Sequence, residues 1–156
     1  MEKTQDILLF SFRDPRFQQA FQQYFAEMGI RVKDWEGLFQ EMDSDGRGNQ
    51  CWLRLKAGQT VGFIQFCPLE MSSWFFTKKA GFIREFWVAE AFRGQGHGSA
   101  LLELAEEHFR DSGCRQAMLT TSTAEEFYIH RGYRYDEGYA AKNGERVLVK
   151  PLSRET

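Results

Sequence analysis

Three glycines at alternate positions in Arg93-Gly94-Gln95-Gly96-His97-Gly98, followed by Ser99 and an amphipathic run, can gather several backbone N–H groups around one anion. Glycine tolerates positive φ, and a helix starting here adds its own unpaired amides and the positive end of its dipole. The chemistry this favours is phosphate binding. Just upstream, Gly81 to Val88 is β-branched and aromatic and reads as a strand, so strand, glycine loop and helix are contiguous. That strand contains one acid, Glu85. Partial burial raises a carboxyl's pKa toward the range useful for accepting a proton. A solvent-facing acid paired with Arg84 is the plainer reading of the same residue.

Three kinds of phosphate loop are relevant. A Walker A loop needs a lysine after its last glycine, and Gly98 is followed by Ser99. A dinucleotide fingerprint needs a further Gly or Ala and an acid roughly 20 positions on, and neither is present. The third pattern, Arg/Gln-x-x-Gly-x-Gly/Ala between a strand and a helix, is met by Arg93, Gly96 and Gly98. It resembles the acetyl-coenzyme A motif of the GCN5-related N-acetyltransferase (GNAT) superfamily. A second segment, Phe127-Tyr128-Ile129-His130-Arg131-Gly132-Tyr133, is similar to that family's Phe-Tyr-x-x-x-Gly-Phe/Tyr helix. In place of the asparagine that many members carry shortly before it, this chain reads Thr120-Thr121-Ser122-Thr123.

The resemblance implies an α/β (α+β mixed) GNAT fold, a twisted mixed sheet of about seven strands flanked by about four helices. It implies transfer of an acetyl group from acetyl-CoA directly to a primary amine on a small molecule or peptide. A noncatalytic module of the same fold that binds or senses acyl-CoA is the alternative. The cosubstrate would be held by Phe86 and Val88, through their strand backbone, and by Arg93, Gly94, Gln95, Gly96, His97, Gly98 and Ser99. Glu85 would be the general base. Tyr128 would be the general acid, its phenol protonated at neutral pH and able to protonate the leaving thiolate. Trp35, Trp74 and Phe75 fall in regions that edge the acceptor cleft in relatives, with packing or a dimer contact as the plainer reading. No metal is implied.

Composition agrees with such an enzyme. The chain has 156 residues, enough for a single domain over 1–156 with a real core. Twenty basic and 22 acidic residues without a long basic run give no electrostatic footprint for nucleic acid. Ile7 to Phe10 is too short to span a bilayer, so no membrane association and a cytoplasmic location are expected, as monomer or homodimer. Cys51, Cys67 and Cys114 are odd in number and far apart, which suits reduced packing residues.

The elements that must position these residues follow from local signals. Ile7 to Phe12 predicts a first strand. Asp14-Pro15 predicts a capped helix start, with Phe17, Ala20, Phe21, Tyr24, Phe25 and Met28 at helical spacing. A second helix is expected over Asp34 to Met42, and a hairpin from Gln50 to Leu55 and Thr60 to Phe66. The helix after the glycine loop spans about Gly98 to Ser112. Its apolar face carries Leu101, Leu102, Ala105, His108 and Phe109, and Glu103, Glu106, Glu107 and Arg110 are assigned to the polar face. Arg115 to Thr121 predicts the next strand, and Tyr133 to Ala140 with Glu145 to Lys150 a last hairpin through Asn143-Gly144. The order is β-α-α-β-β-β-α-β-α-β-β.

Overall fold

The computed structural model describes residues 3–152. The chain runs β1 (Thr4–Leu9), α1 (Pro15–Glu27), α2 (Trp35–Ser44), β2 (Gln50–Lys56), β3 (Gln59–Ser72), β4 (Thr77–Val88), α3 (His97–Asp111), β5 (Gln116–Thr120), α4 (Glu125–Ile129), β6 (Arg134–Tyr135) and β7 (Val147–Pro151). One 3₁₀ turn, Glu90–Phe92, joins β4 to the glycine loop. The strands form one seven-stranded sheet in the order β1-β2-β3-β4-β5-β7-β6. β4 and β5 are parallel, while β1–β2, β2–β3, β5–β7 and β6–β7 are antiparallel. The expected element order and mixed sheet are both present.

Local chemistry starts and stops these elements. The Asp14 carboxylate accepts the Arg16 N–H and Pro15 occupies the first turn of α1. Asp34 caps α2 by accepting the Gly37 N–H. Ala57 and Gly58, at φ 51° and 78°, make the tight turn between β2 and β3. Both positive values are what a two-residue turn needs to match the strand twist.

The described residues divide into two compact units. One runs through Cys67 and includes Arg84–Ala105; the other comprises Pro68–Ile83 and the chain from Glu106 onward. In the first, α1 and α2 lay Phe12, Phe17, Phe21, Phe39 and Met42 against Cys51, Leu53, Leu55, Phe63 and Trp87 of the strands. Edge and tilted ring contacts link them, including Phe17–Phe63 at 5.2 Å and Phe21–Phe39 at 5.8 Å between centroids. Each fully buried phenylalanine removes enough apolar surface from water to contribute about 1.5–3 kcal/mol. In the second, Ala80, Met118, Val147 and Val149 form a smaller cluster with Phe82 and Tyr139 against it.

Three expectations need correction. β1 ends at Leu9, because Phe12 leaves the sheet to pack with Phe17, its N–H bound by Asp43 and its carbonyl by Gln18. β6 is two residues long: the Asp136 side chain accepts the Gly138 N–H and its carbonyl the Tyr139 N–H, which curls the chain. Glu106, assigned to the polar face of α3, is 3% exposed.

Candidate active site

The glycine loop has the geometry an anion cradle requires. Gly94 and Gly96 lie at φ 77° and 87°, where side chains are strained, and nothing lies within 4 Å of where their Cβ atoms would be. Residues 93–96 are exposed and lead directly into the first turn of α3, whose initial amides have no carbonyl partner within the helix. The side chains of the loop turn elsewhere. The Arg93 guanidinium donates to the Val88 carbonyl at 2.8 Å and to Glu27 Oε1 at 2.6 Å. Glu27 also accepts from Trp87 Nε1 at 3.2 Å, so the last residue of α1 ties the loop to the end of β4. Gln95 donates to the Ala91 carbonyl. His97 is buried, edge-on to Phe92, and its Nε2 has no hydrogen-bond partner among the described residues. Burial, with Arg54 and Lys56 adding to it, holds its pKa below the ordinary histidine value. Open glycines beside a helix start suit a phosphate diester.

β4 carries the other groups. Its Ala89 neighbour donates to the Val61 carbonyl, and Phe63 and Trp87 meet ring to ring at 6.1 Å, so β3 and β4 run side by side here. At the far end Ser73 N–H binds the Phe76 carbonyl. Arg84 Nη1 donates to Asn49 Oδ1 at 2.8 Å, and Glu85 acts electrostatically on Tyr24 and Cys51. Glu85 stands two residues before Trp87, so strand alternation sends its side chain to the face where the aromatic cluster packs. Burial pushes the Glu85 pKa up, opposed by Arg84, whose Nε lies 3.4 Å from Oε2. Phe86 and Val88 follow on the same strand, beyond the two positions, Gly81–Ala117 and Phe82–Met118, at which β4 pairs with β5.

In the second unit the Phe127–Tyr133 segment is a capped helix end. Gly132, at φ 97°, donates to the Ile129 carbonyl and Tyr133 to the Tyr128 carbonyl, the two bonds of a Schellman motif. The side-chain contact that accompanies this motif is Tyr133 against Tyr128, edge to face at 5.5 Å. Glu106 on α3 secures it: Oε2 accepts from the Tyr133 hydroxyl at 2.8 Å and Oε1 from Lys150 Nζ at 2.9 Å. The buried carboxylate and burial itself raise the Tyr133 pKa far above the usual phenol range. Tyr128 is 6% exposed. Thr121 Oγ1, near the place where relatives carry asparagine, accepts the N–H groups of Thr123 and Ala124 ahead of α4.

The acceptor candidates lie in different settings. Trp35 stacks on Phe39 at 5.7 Å and lines a groove of about 550 Å³ between α1 and α2 with Arg13, Gln18, Gln22 and Gln40. Trp74 and Phe75 form the tip of the β3–β4 hairpin and are 98% and 94% exposed. The structure thus groups Glu85, Phe86, Val88 and residues 93–99 in one unit, while Tyr128, Trp74 and Phe75 belong to the other. Glu27, Glu106 and Gln65 escaped the sequence reading. For Gln65 a signal existed, a lone amide inside the apolar run Val61 to Cys67.

The chain belongs to the Acetyltransferase (GNAT) family, whose model its residues 6–133 match. It is similar to an uncharacterized N-acetyltransferase of Archaeoglobus fulgidus, 36% identical over 51% of this chain and 56% of that one. It is also similar to the aminoalkylphosphonate N-acetyltransferase of Salmonella typhimurium, 37% identical over 53% and 54%. The chain thus spans about half the length of these curated relatives. Its fold is that of Arabidopsis thaliana NAA60 in complex with acetyl-CoA, with a TM-score of 0.70 at 15% identity over 96% of this chain and 99% of that one. A putative N-acetyltransferase from Lactobacillus plantarum matches with a TM-score of 0.69 at 22% identity, over 96% and 99%. Among the described residues no helix is long and apolar enough to cross a membrane, and no three His, Cys, Asp or Glu residues cluster as metal ligands.

Proposed function

We propose that this chain is an N-acetyltransferase that moves an acetyl group from acetyl-CoA directly to a primary amine. The observation that carries this is the glycine loop: two open, positive-φ glycines at the start of a 15-residue helix, with the Arg93 guanidinium held by Glu27 and His97 buried. Gly94 to Ser99 would bind the pyrophosphate through their amides. Phe86 and Val88 would receive the pantetheine arm through strand backbone, as an added strand does. Arg93 and Glu27 keep the Val88 end of β4 fixed to that loop. Bound acetyl-CoA supplies a thioester, whose C–S bond breaks as the amine's C–N bond forms.

Glu85 takes the proton the attacking nitrogen loses, directly or through water. Its raised pKa brings it nearer to neutrality, where general bases are most effective. Tyr128 gives its proton to the departing thiolate. Trp35, Trp74 and Phe75 edge the acceptor, a small amine or a peptide amino group. The protein works in the cytoplasm as monomer or homodimer.

The test pairs a thermal-shift comparison with an acceptor panel. Acetyl-CoA and CoA are expected to raise Tm where equal concentrations of ATP and NAD do not. Thiol release from acetyl-CoA is then followed against amino acids, polyamines, peptides and 2-aminoethylphosphonate, the last because of the Salmonella relative's name. Equal stabilisation by ATP or NAD defeats the coenzyme reading. Stabilisation by acetyl-CoA with no turnover across the panel identifies a binding module instead. With an active amine, Tyr128→Phe is expected to lower kcat roughly 10²-fold at unchanged fold. Replacing Trp74 and Phe75 by Ser raises the amine's KM and leaves that of acetyl-CoA alone.

A further inference from the structure

Gln65 is completely buried, yet neither its Oε1 nor its Nε2 has a hydrogen-bond partner among the described residues. An unpaired buried amide costs about 1–3 kcal/mol, so a protein that keeps one gains something from it. Its position says what. Gln65 lies opposite Cys51 in the β2–β3 register, on the face where the aromatic cluster packs. Counting two residues along β3 from Phe63 and two back along β4 from Trp87 places it across from Glu85. Cys51 experiences the charge of Glu85, as expected for three side chains in a row across adjacent strands. Glu85 Oε2 is itself buried and also without a hydrogen-bond partner, its distance to Arg84 Nε being that of an ion pair without hydrogen-bond alignment.

Two polar atoms of Gln65 and one of Glu85 are thus buried without a hydrogen-bond partner among the described residues, at facing positions of adjacent strands. Ordered buried waters make about three hydrogen bonds each, and polar groups farther apart than a direct bond are commonly bridged by one. We propose that Gln65 is a positioning residue for Glu85, the two holding one buried water that fixes the carboxylate with Oε1 directed to the incoming amine. The inference rests on the acetyltransferase reading for its catalytic meaning, while the pairing of the two side chains is independent of it. No bond in the reaction involves Gln65. It aims the carboxylate and stabilises its ionised form, and the amine's proton goes to Glu85.

The discriminating variant is Gln65→Met, close to isosteric and apolar. An apolar replacement of matching shape keeps the packing and leaves no amide to desolvate. Tm is expected to be unchanged or higher, and the acetyl-CoA thermal shift unaltered. With an amine active in the panel, kcat/KM at neutral pH falls roughly tenfold or more, and its acid limb moves to higher pH because Glu85 loses a group that favours the ionised form. A drop of several degrees in Tm with an unmoved pH profile overturns the proposal. Should no amine be turned over, the acetyltransferase reading fails separately, and a double-mutant cycle in urea still decides the pairing. Gln65→Met and Glu85→Gln are expected to be non-additive in stability, and additivity overturns it.

Discussion

Glu85 is the residue on which the chemistry and the stability of this protein pull in opposite directions. Burial raises its native pKa above the ordinary glutamate value. For an acid with a raised pKa, the folded state binds its proton more tightly than the unfolded state does. Folding is therefore relatively favoured below about pH 4.5, and that advantage is lost as pH rises through the native pKa. Glu85→Gln is thus expected to unfold at a higher temperature than the parent at pH 8, with the gap closing toward pH 4. Thermal unfolding of both proteins across that range measures it; a variant that unfolds at a lower temperature than the parent at pH 8 shows that the carboxylate is a stabilising ion-pair partner of Arg84 instead. In turnover the order reverses. The variant is expected to lose roughly 10²-fold in rate, most visibly where the amine is protonated.

At the scale of elements, the glycine loop separates binding from folding. Gly96→Ala meets no atom, so its cost is the backbone strain of about 1 kcal/mol that a side chain pays at positive φ. The loop is exposed and can relax, which moves the amides. The affinity for acetyl-CoA is expected to fall about tenfold by calorimetry while Tm drops by only a few degrees; retained affinity removes the loop from the coenzyme site. This loop was legible in the sequence because glycine spacing and a helix start are local signals, and so was the Tyr128 segment, whose Gly132 and Tyr133 are a helix cap. What escaped was long-range. Glu27 meets Arg93 and Trp87 at separations of 66 and 60 residues, and Glu106 meets Tyr133 and Lys150 at 27 and 44. A helical wheel assigns a lone glutamate to the polar face because it cannot know that a phenol and an ammonium wait on other elements.

On the scale of the whole molecule, the buried described residues are mostly apolar, with Asn49, Gln65, His97 and Glu106 as the polar exceptions. The apolar side chains include the cysteines. Cys51, Cys67 and Cys114 are all buried and unpaired with one another, and burial raises each thiol above its ordinary pKa. Thiolate is the reactive form, so native protein is expected to colour a disulfide reagent only slowly, and three equivalents are to appear once it is unfolded in guanidinium. The folded chain is therefore a quiet background for a colorimetric assay. Any rapid signal in the presence of acetyl-CoA belongs to liberated coenzyme, and the enzyme's own sulfur reports how much of the sample remains folded during the measurement.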